Sequence, residues 1–570
     1  MTNTKDAQRP APTTFESGAK AMGEAIRTGD ISAYFANGKD PLHAAFAAKA
    51  VIHSGPAGMP LMGPEAEKKL ESLWEEKRSG KALAYFHVPF CETRCLYCMF
   101  YQNPLKEDAS HAFAQRLIKE IQLWSDKQAQ KSGLVHAVYF GGGTPTALAP
   151  QDMKDVLKAV KTYLPLANDC EITLEGRIHN FGDAKMEAAL EGGVNRFSLG
   201  AQTFNTQVRQ SVQRVDDRET MIRRLEKLCS YDDAAVVIDL IYGFPGQTME
   251  VWEDDLKTAM SLPLDGVDCY QLNVFEKSPL AKYIANGKLP SAADTAMKAD
   301  MFAKSVEMLT ANQWHRLSNN HWRQTNRERN IYNELGKSAC DCLAFGCGAG
   351  GRLNGHSFMM QRKLADWNEG IDAGRKPVMV VMAPGEHWHL LRTVSSQMEL
   401  GAINLKRIAA EFGVPVDTMT ADVVAQWIEA GLLTRVGDWL VQTLAGQYWH
   451  VTLAQLLVDL ITKRLSGEKI EPQGASGNHG SEGGHPHAMM NLSPKMIEMA
   501  MKMMGAKTLD ELTLPGGTPL PPGMKAAFER TLAKAKAEGM TVNTDKATMQ
   551  VHHSGMPVSM LGDKNSAIKL

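Results

Sequence analysis

From Lys81 onward, short runs rich in β-branched, aromatic and aliphatic residues recur along the chain, separated by longer stretches of helical character. The runs are Ala84 to Val88, Val135 to Phe140, Glu171 to Glu175, Asn195 to Leu199, Val236 to Leu240 and Val267 to Leu272. Strands that alternate with helices read as βα units around a parallel sheet, so residues 81–275 are expected to form an α/β domain of six such units, a partial (β/α)6 barrel. Glycines and charged residues cluster where these strands end, which places the chemistry at their carboxyl ends.

Outside that alternation the pattern changes. Residues 1–80 form an N-terminal extension. Residues 276–383, with a Trp, His, Arg and Asn-rich stretch from Trp314 to Asn333 and a glycine-rich loop from Phe345 to Leu353, are expected to cap the barrel mouth. Residues 384–465 show helical periodicity over Leu405 to Phe412 and Val423 to Glu429, followed by a short strand-turn-strand pattern, which suggests a winged-helix-like C-terminal domain. The Gly, Ser, Glu and His content of 466–488 predicts a linker, and 489–570 is a Met-rich tail whose role is not legible.

Composition narrows the class. The 570 residues, 44% of them hydrophobic, can build several cores. A formal net charge of -2, from 62 basic and 64 acidic residues, creates no field that would draw nucleic acid or a membrane surface. With no apolar leader-like segment near Met1 and no run of apolar residues long enough to span a bilayer, the expectation is a cytoplasmic monomer with no membrane span and no nucleic-acid partner. Nine cysteines, three of them crowded together, look like a metal site in a reducing compartment rather than a disulfide framework.

The crowded trio is Cys91-Glu-Thr-Arg-Cys95-Leu-Tyr-Cys98, directly after the first strand. A 4Fe-4S cluster normally takes four thiolates; three close cysteines with no evident fourth would leave one iron open to another ligand. A structural zinc site would want four nearby donors, and three inert thiols would need a coincidence of spacing. A second signal is Phe140-Gly-Gly-Gly-Thr-Pro145 at the end of the second strand, where glycines let the backbone approach a ligand closely. Alone it is only a tight turn. Later strands, however, end in Glu175, in Ser198-Leu-Gly-Ala-Gln202 and in the run that begins at Asp239, so polar groups converge on one mouth.

These motifs together resemble the coproporphyrinogen-oxidase-like branch of the radical S-adenosylmethionine (SAM) superfamily over roughly Leu83 to Thr462. That branch includes oxygen-independent coproporphyrinogen III oxidases, haem chaperones and the anaerobic haem-degrading methyltransferases of the ChuW/HutW, or anaerobilin synthase, type. The resemblance implies Cys91, Cys95 and Cys98 as ligands of one 4Fe-4S cluster, with Tyr97 beside the adenine of SAM. It likewise implies Tyr85, Gly142, Gly143, Thr144, Glu175, Gln202, Arg214 and Asp239 as SAM-site residues. The oxidases usually carry a further cysteine where this chain has Phe100, and the chaperones usually follow the strand-end glutamate with an Asn-Pro-like turn, where this chain reads Gly176-Arg177. Cys98-Met-Phe-Tyr-Gln-Asn103, Asn320-His-Trp-Arg323 and Leu343-Ala-Phe-Gly-Cys-Gly-Ala-Gly-Gly351 resemble the haem-degrading type.

What that type implies is radical methylation and ring opening of haem, consuming two SAM per turnover and releasing iron and a linear tetrapyrrole. The alternatives are a haem chaperone that binds without turnover and, after it, the oxidase. An electron donor such as a flavodoxin, ferredoxin or flavin reductase is implied, with a tetrapyrrole reductase or haem carrier as a further partner. A tetrapyrrole needs an apolar slot, cations for its propionates and a donor for its iron. Arg323, Arg352 and Arg362 are candidate propionate partners, and His321 with Trp322 candidate haem contacts; each is as readily an ion-paired, hydrogen-bonded or core side chain. Cys340, Cys342 and Cys347 read as plain thiols rather than ligands of a second cluster. His479, His485, His487, His552 and His553 read as parts of a solvated spacer and tail.

Overall fold

A computed structural model describes residues 31–50, 58–106, 109–338 and 340–467, together with the short antiparallel pair Thr513–Leu514 and Thr518–Pro519. The chain divides into two compact units, Met1–Gln473 and Gly474–Leu570. Most of the expected linker and tail, including the five histidines named above, lies outside the described residues.

The first unit is organised by a thirteen-stranded mixed sheet. All six expected strands are present and adjacent in chain order: Ala82–Val88, Val135–Gly142, Leu166–Gly176, Arg196–Gln202, Ala235–Tyr242 and Gly266–Gln271, each parallel to the next. Their near-continuous apolar runs suit strands covered on both faces; in Ala82–Val88 every residue except Tyr85 is buried. Helices between them supply the cover. Pro150–Tyr163 buries Met153, Val156, Leu157 and Val160, one stripe at helical spacing, and Met249–Ser261 starts at Thr248, whose hydroxyl accepts a hydrogen bond from Val251 N.

A seventh parallel strand, Asp341–Phe345, pairs with Ala82–Val88 on its outer side. Beyond it Gly350–Leu353, His356–Met360, Val378–Pro384 and Gly58–Met62 continue antiparallel, while His321–Arg323 lies antiparallel to Gly266–Gln271 at the other flank. The stretch expected as a cap thus supplies strands to both sides of the sheet. The stretch expected as a glycine-rich loop, Phe345 to Leu353, instead begins at the end of one strand, whose five residues are all buried, and ends in another, Gly350–Leu353.

Toward the C-terminus, helices Leu405–Phe412 and Ala421–Glu429 accompany a three-stranded antiparallel sheet of Ala402–Ile403, Trp439–Gln442 and Leu433–Val436 in that spatial order. Helix His450–Leu465 follows and is largely buried. The described part of the N-terminal extension docks on these elements: Tyr34 Oη donates to Asp459 at 2.5 Å, Trp427 Nε1 donates to Tyr34 O at 2.8 Å, and Trp449 Nε1 to Leu42 O at 3.0 Å. No helix among the described residues is long and apolar enough to cross a membrane.

Candidate functional site

The glycine turn and the cysteine loop are built against each other. Gly142 adopts φ +109°, in the region that favours glycine, and a Cβ there would lie 2.7 Å from the His87 ring. On Gly143 a Cβ would fall 2.5 Å from the carbonyl oxygen of Phe90, the residue before Cys91. Gly143 N donates to Val88 O at 2.8 Å, so turn and loop share a backbone seam. Phe90–Cys91 also pairs with Asn103–Pro104, which closes the cysteine loop at both ends. Gly143→Ala is therefore expected to displace Phe90 and Cys91 and to lower iron retained after reconstitution at least severalfold, with the fold intact by circular dichroism; unchanged iron content would show that the seam has no such role.

Each sulfur of the trio accepts one hydrogen bond. Thr144 Oγ1 donates to Cys91 Sγ at 3.3 Å, Arg177 Nη2 to Cys95 Sγ at 2.7 Å and Phe100 N to Cys98 Sγ at 3.3 Å. Burial pushes the Cys91 and Cys98 thiols up, so metal, not proton loss to water, is the natural route to their thiolates. Among the described residues no three His, Cys, Asp or Glu side chains converge tightly enough to hold a single ion. Three thiols facing one chamber are a donor set that fits a thiolate-held iron-sulfur cluster.

That chamber, about 630 Å³, opens at the carboxyl ends of the strands and is lined by Cys91, Cys95, Cys98 and Tyr97 together with Gly142, Gly143, Thr144, Glu175, Gln202, Arg214 and Asp239. Their convergence follows from the parallel register, in which Glu175 lies beside Ser198 and Gly200 beside Asp239. The register slips between Gly200 and Gln202, and Gln202 takes a left-handed φ of +74°. Such a conformation in a non-glycine residue costs on the order of 1–3 kcal/mol and marks a side chain held for a purpose. Gln202 Oε1, Arg214 Nε and Arg177 Nε are buried without a partner among the described residues. These orphaned atoms call for a polar ligand.

Two carboxyl groups share the wall. Burial, and secondarily Asp239, pushes Glu175 up to about 8. Asp239 is raised by burial to about 6, against the opposing pull of Arg196 and Arg214. His87 beneath the turn is neutral, drawn down to about 4 chiefly by burial. The chamber thus sets two carboxyl groups and a guanidinium before one compact polar ligand beside three thiols.

Tyr85 stands outside this lining. It packs below Gly141, where a Cβ would lie 3.1 Å from its ring, and its hydroxyl shares a 3.1 Å hydrogen bond with His87 Nδ1. The five candidate substrate residues are likewise not brought to the chamber wall. His321 is buried with Nε2 3.3 Å from Tyr270 Oη and from Asp268 Oδ2, and burial holds it neutral. Trp322 is buried under the Arg316 guanidinium, Arg323 sits beside it on the same strand with Nε buried, and Arg352 covers the Trp388 ring. Arg362 contributes its carbonyl to Cys347 Sγ at 3.3 Å. Cys340 and Cys342 also donate to backbone carbonyls, as packed thiols do.

Residues passed over in the sequence complete the wall: Arg177, Tyr270, Gln271 and Asn273. The last three follow the strand-end rule already applied to the earlier strands. Arg177, two places after Glu175, stands in the turn that separates this chain from the chaperones, but nothing in the sequence says that it will reach a cysteine sulfur.

Comparison with known proteins now bears on this geometry. Residues 85–259 match the Radical SAM superfamily. The chain is 40% identical to the anaerobilin synthase of Escherichia coli O157:H7 over 417 residues, 71% of this chain and 92% of that protein. It is 30% identical to the haem chaperone HemW of Lactococcus lactis subsp. lactis over 43% of this chain and 61% of the chaperone. Coproporphyrinogen III oxidase (HemN) from Escherichia coli, described as a radical SAM enzyme, shares the fold with a TM-score of 0.59 at 20% identity, covering 68% of this chain and 92% of that one. The chain is a radical SAM enzyme closely related to anaerobilin synthase, and it belongs to the branch of the radical SAM superfamily that also holds HemW and the coproporphyrinogen III oxidases.

Proposed function

We propose that this protein degrades haem anaerobically, as a radical SAM C-methyltransferase that methylates the porphyrin and opens the ring, releasing iron and a linear tetrapyrrole. What carries the reading is the 40% identity to an anaerobilin synthase along 92% of its length, joined to a three-thiol chamber at the strand ends. Cys91, Cys95 and Cys98 would hold a 4Fe-4S cluster, whose chemistry when bound is one-electron reductive cleavage of SAM. Backbone carbonyls of Gly142 to Thr144 then accept from the ammonium of the methionyl group, Glu175 accepts hydrogen bonds from ribose hydroxyls, and Tyr97 lies along the adenine. Gln202, Arg214 and Asp239 close the polar wall. Arg177, by hydrogen-bonding Cys95, sets how much negative charge that sulfur presents.

The rest of the reading follows the same relationship. Two SAM are consumed per turnover, a flavodoxin, ferredoxin or flavin reductase donates electrons, and the protein works in the cytoplasm. The sheet curves as a partial (β/α)6 barrel, and 384–465 is a winged-helix-like domain. To test the function, the protein would be reconstituted with iron and sulfide without oxygen and given haem, SAM and a reductant. The haem absorption bands are expected to fade as a methylated, iron-free tetrapyrrole appears by mass. Intact haem that binds stably, equally in wild type and Cys91→Ala, would instead make it a chaperone.

Proton linkage gives a further check. Glu175 holds its proton up to about 8 in the folded chain, so the ligand-free protein loses stability as pH rises from about 5 through 8, where the unfolded chain has already released it. A ribose that donates to the carboxylate favours its ionised form. The rise in melting temperature on adding SAM is therefore expected to grow across that interval, and Glu175→Gln to flatten it. A SAM-induced shift independent of pH in the wild type would remove Glu175 from the ribose.

A further inference from the structure

A second cavity of about 120 Å³ adjoins the chamber and shares Tyr270, Gln271 and Asn273 with it. Lys49 lines this side cavity. Its Nζ donates to Gln271 Oε1 at 2.7 Å and stands 4.1 Å from the centroid of the Tyr448 ring. Among the described residues no carboxylate pairs with it. Removing an ammonium from water onto one neutral amide and a ring is costly, and such a group is normally ion-paired.

The other charge acting on Lys49 is a second lysine. Burial, reinforced by Lys298, draws Lys49 down to about 7. Lys298 in turn is drawn down to about 8 by burial, with Asp294 opposing, while its side chain packs on Gly243. The site is also firmly built. Ala50 N donates to Thr452 Oγ1 at 2.9 Å, which fixes the backbone beside Lys49 against helix His450–Leu465. A cavity that opens beside a ligand chamber, presents a lysine without a counter-charge among the described residues and has neutral amides around it has the character of an anion site, since an arriving carboxylate would favour the ammonium form. Its size favours a single planar group on an arm.

We propose that the Lys49 cavity is a carboxylate subsite, which takes a carboxylate carried on a flexible arm by the ligand in the chamber. The inference rests on the haem-degrading reading, under which the carboxylate is a porphyrin propionate. The methionyl carboxylate of a SAM molecule offers the same chemistry. In either case Lys49 pairs with the anion, Gln271 stays bonded to Lys49, and nothing covalent forms.

The test uses the full chain with its cluster reconstituted, in wild type, Lys49→Met and Lys49→Arg. Binding of haem and of haem dimethyl ester, whose propionates are masked, is titrated by absorption, and SAM dependence is read from 5′-deoxyadenosine formation without haem. Wild type is expected to prefer haem over the diester about tenfold, the value of one charge-assisted hydrogen bond. Lys49→Met should lose that preference, Lys49→Arg should keep it, and neither should change the SAM dependence, which also shows that the variants fold. If Lys49→Met keeps the preference but needs about tenfold more SAM, the subsite stands with SAM as the source of its carboxylate. If both readouts are unchanged, the inference is overturned. A wild type that binds neither porphyrin contradicts the haem reading itself, and the SAM arm alone then decides the subsite.

Discussion

Replacing Cys91, Cys95 or Cys98 singly with Ala is expected to reduce SAM cleavage to below about a thousandth of the wild-type rate, with loss of the broad iron-sulfur absorption and of most bound iron. The size of the effect comes from the geometry of the trio. All three sulfurs face one chamber, each already accepts one hydrogen bond, and among the described residues no other cysteine lines that wall to take a lost ligand's place. Under the proposed ligation, two thiolates would hold a four-iron cluster poorly, and its loss would remove the electron that SAM cleavage needs. Cys340→Ala, Cys342→Ala and Cys347→Ala supply the contrast, since these thiols donate to nearby carbonyls away from the chamber wall and should leave iron content and cleavage within about twofold of wild type. Iron retention in Cys95→Ala with undiminished 5′-deoxyadenosine formation would contradict the ligand assignment.

The largest stability effect is expected at Arg196. Its guanidinium grips Glu328 with two hydrogen bonds, 2.8 and 3.1 Å long, and both side chains are 2% exposed. Arg196→Met would leave a carboxylate buried beside two more, Glu171 and Asp265, at a cost of about 3–5 kcal/mol in urea unfolding. Removing both charges together, Arg196→Met with Glu328→Leu, should restore most of that loss, because the penalty lies in the unpaired charge rather than in the missing pair. The site feels the change too. Arg196 starts the strand that ends at Gln202 and favours the ionised form of Asp239, so the single variant should also bind SAM more weakly near neutral pH. Equal destabilisation by the single and double variants would show that packing, not charge, dominates there.

Much of the chamber is visible in one dimension because parallel βα units turn sequence order into spatial order. Once six strands are recognised, the polar residues in their C-terminal halves must approach one rim, which brings Glu175, Gln202 and Asp239 together. The glycine turn is legible for the same reason, its close approach to Phe90 leaving no room for a side chain. What stays hidden depends on long-range pairing. Nothing local to Leu343 or Phe345 says that they will lie alongside Ala84 and Phe86, and nothing near His321 says that its partners will be Tyr270 and Asp268 behind the wall. Lys49 is the extreme case: its partner Gln271 is 222 residues away, and their meeting depends on the N-terminal segment docking against the last helix of the unit.

That docking imposes an order on assembly during synthesis. Helix His450–Leu465 emerges from the ribosome long after Lys49, and until it does, Thr452 and Trp449 cannot hold the segment from Leu42 to Ala50. The cysteine loop and the six parallel strands are complete by Gln271, some two hundred residues earlier by chain position. The strand ends that line the chamber are therefore made well before the Lys49 side cavity, which closes only when the first-made and last-made parts of the unit meet.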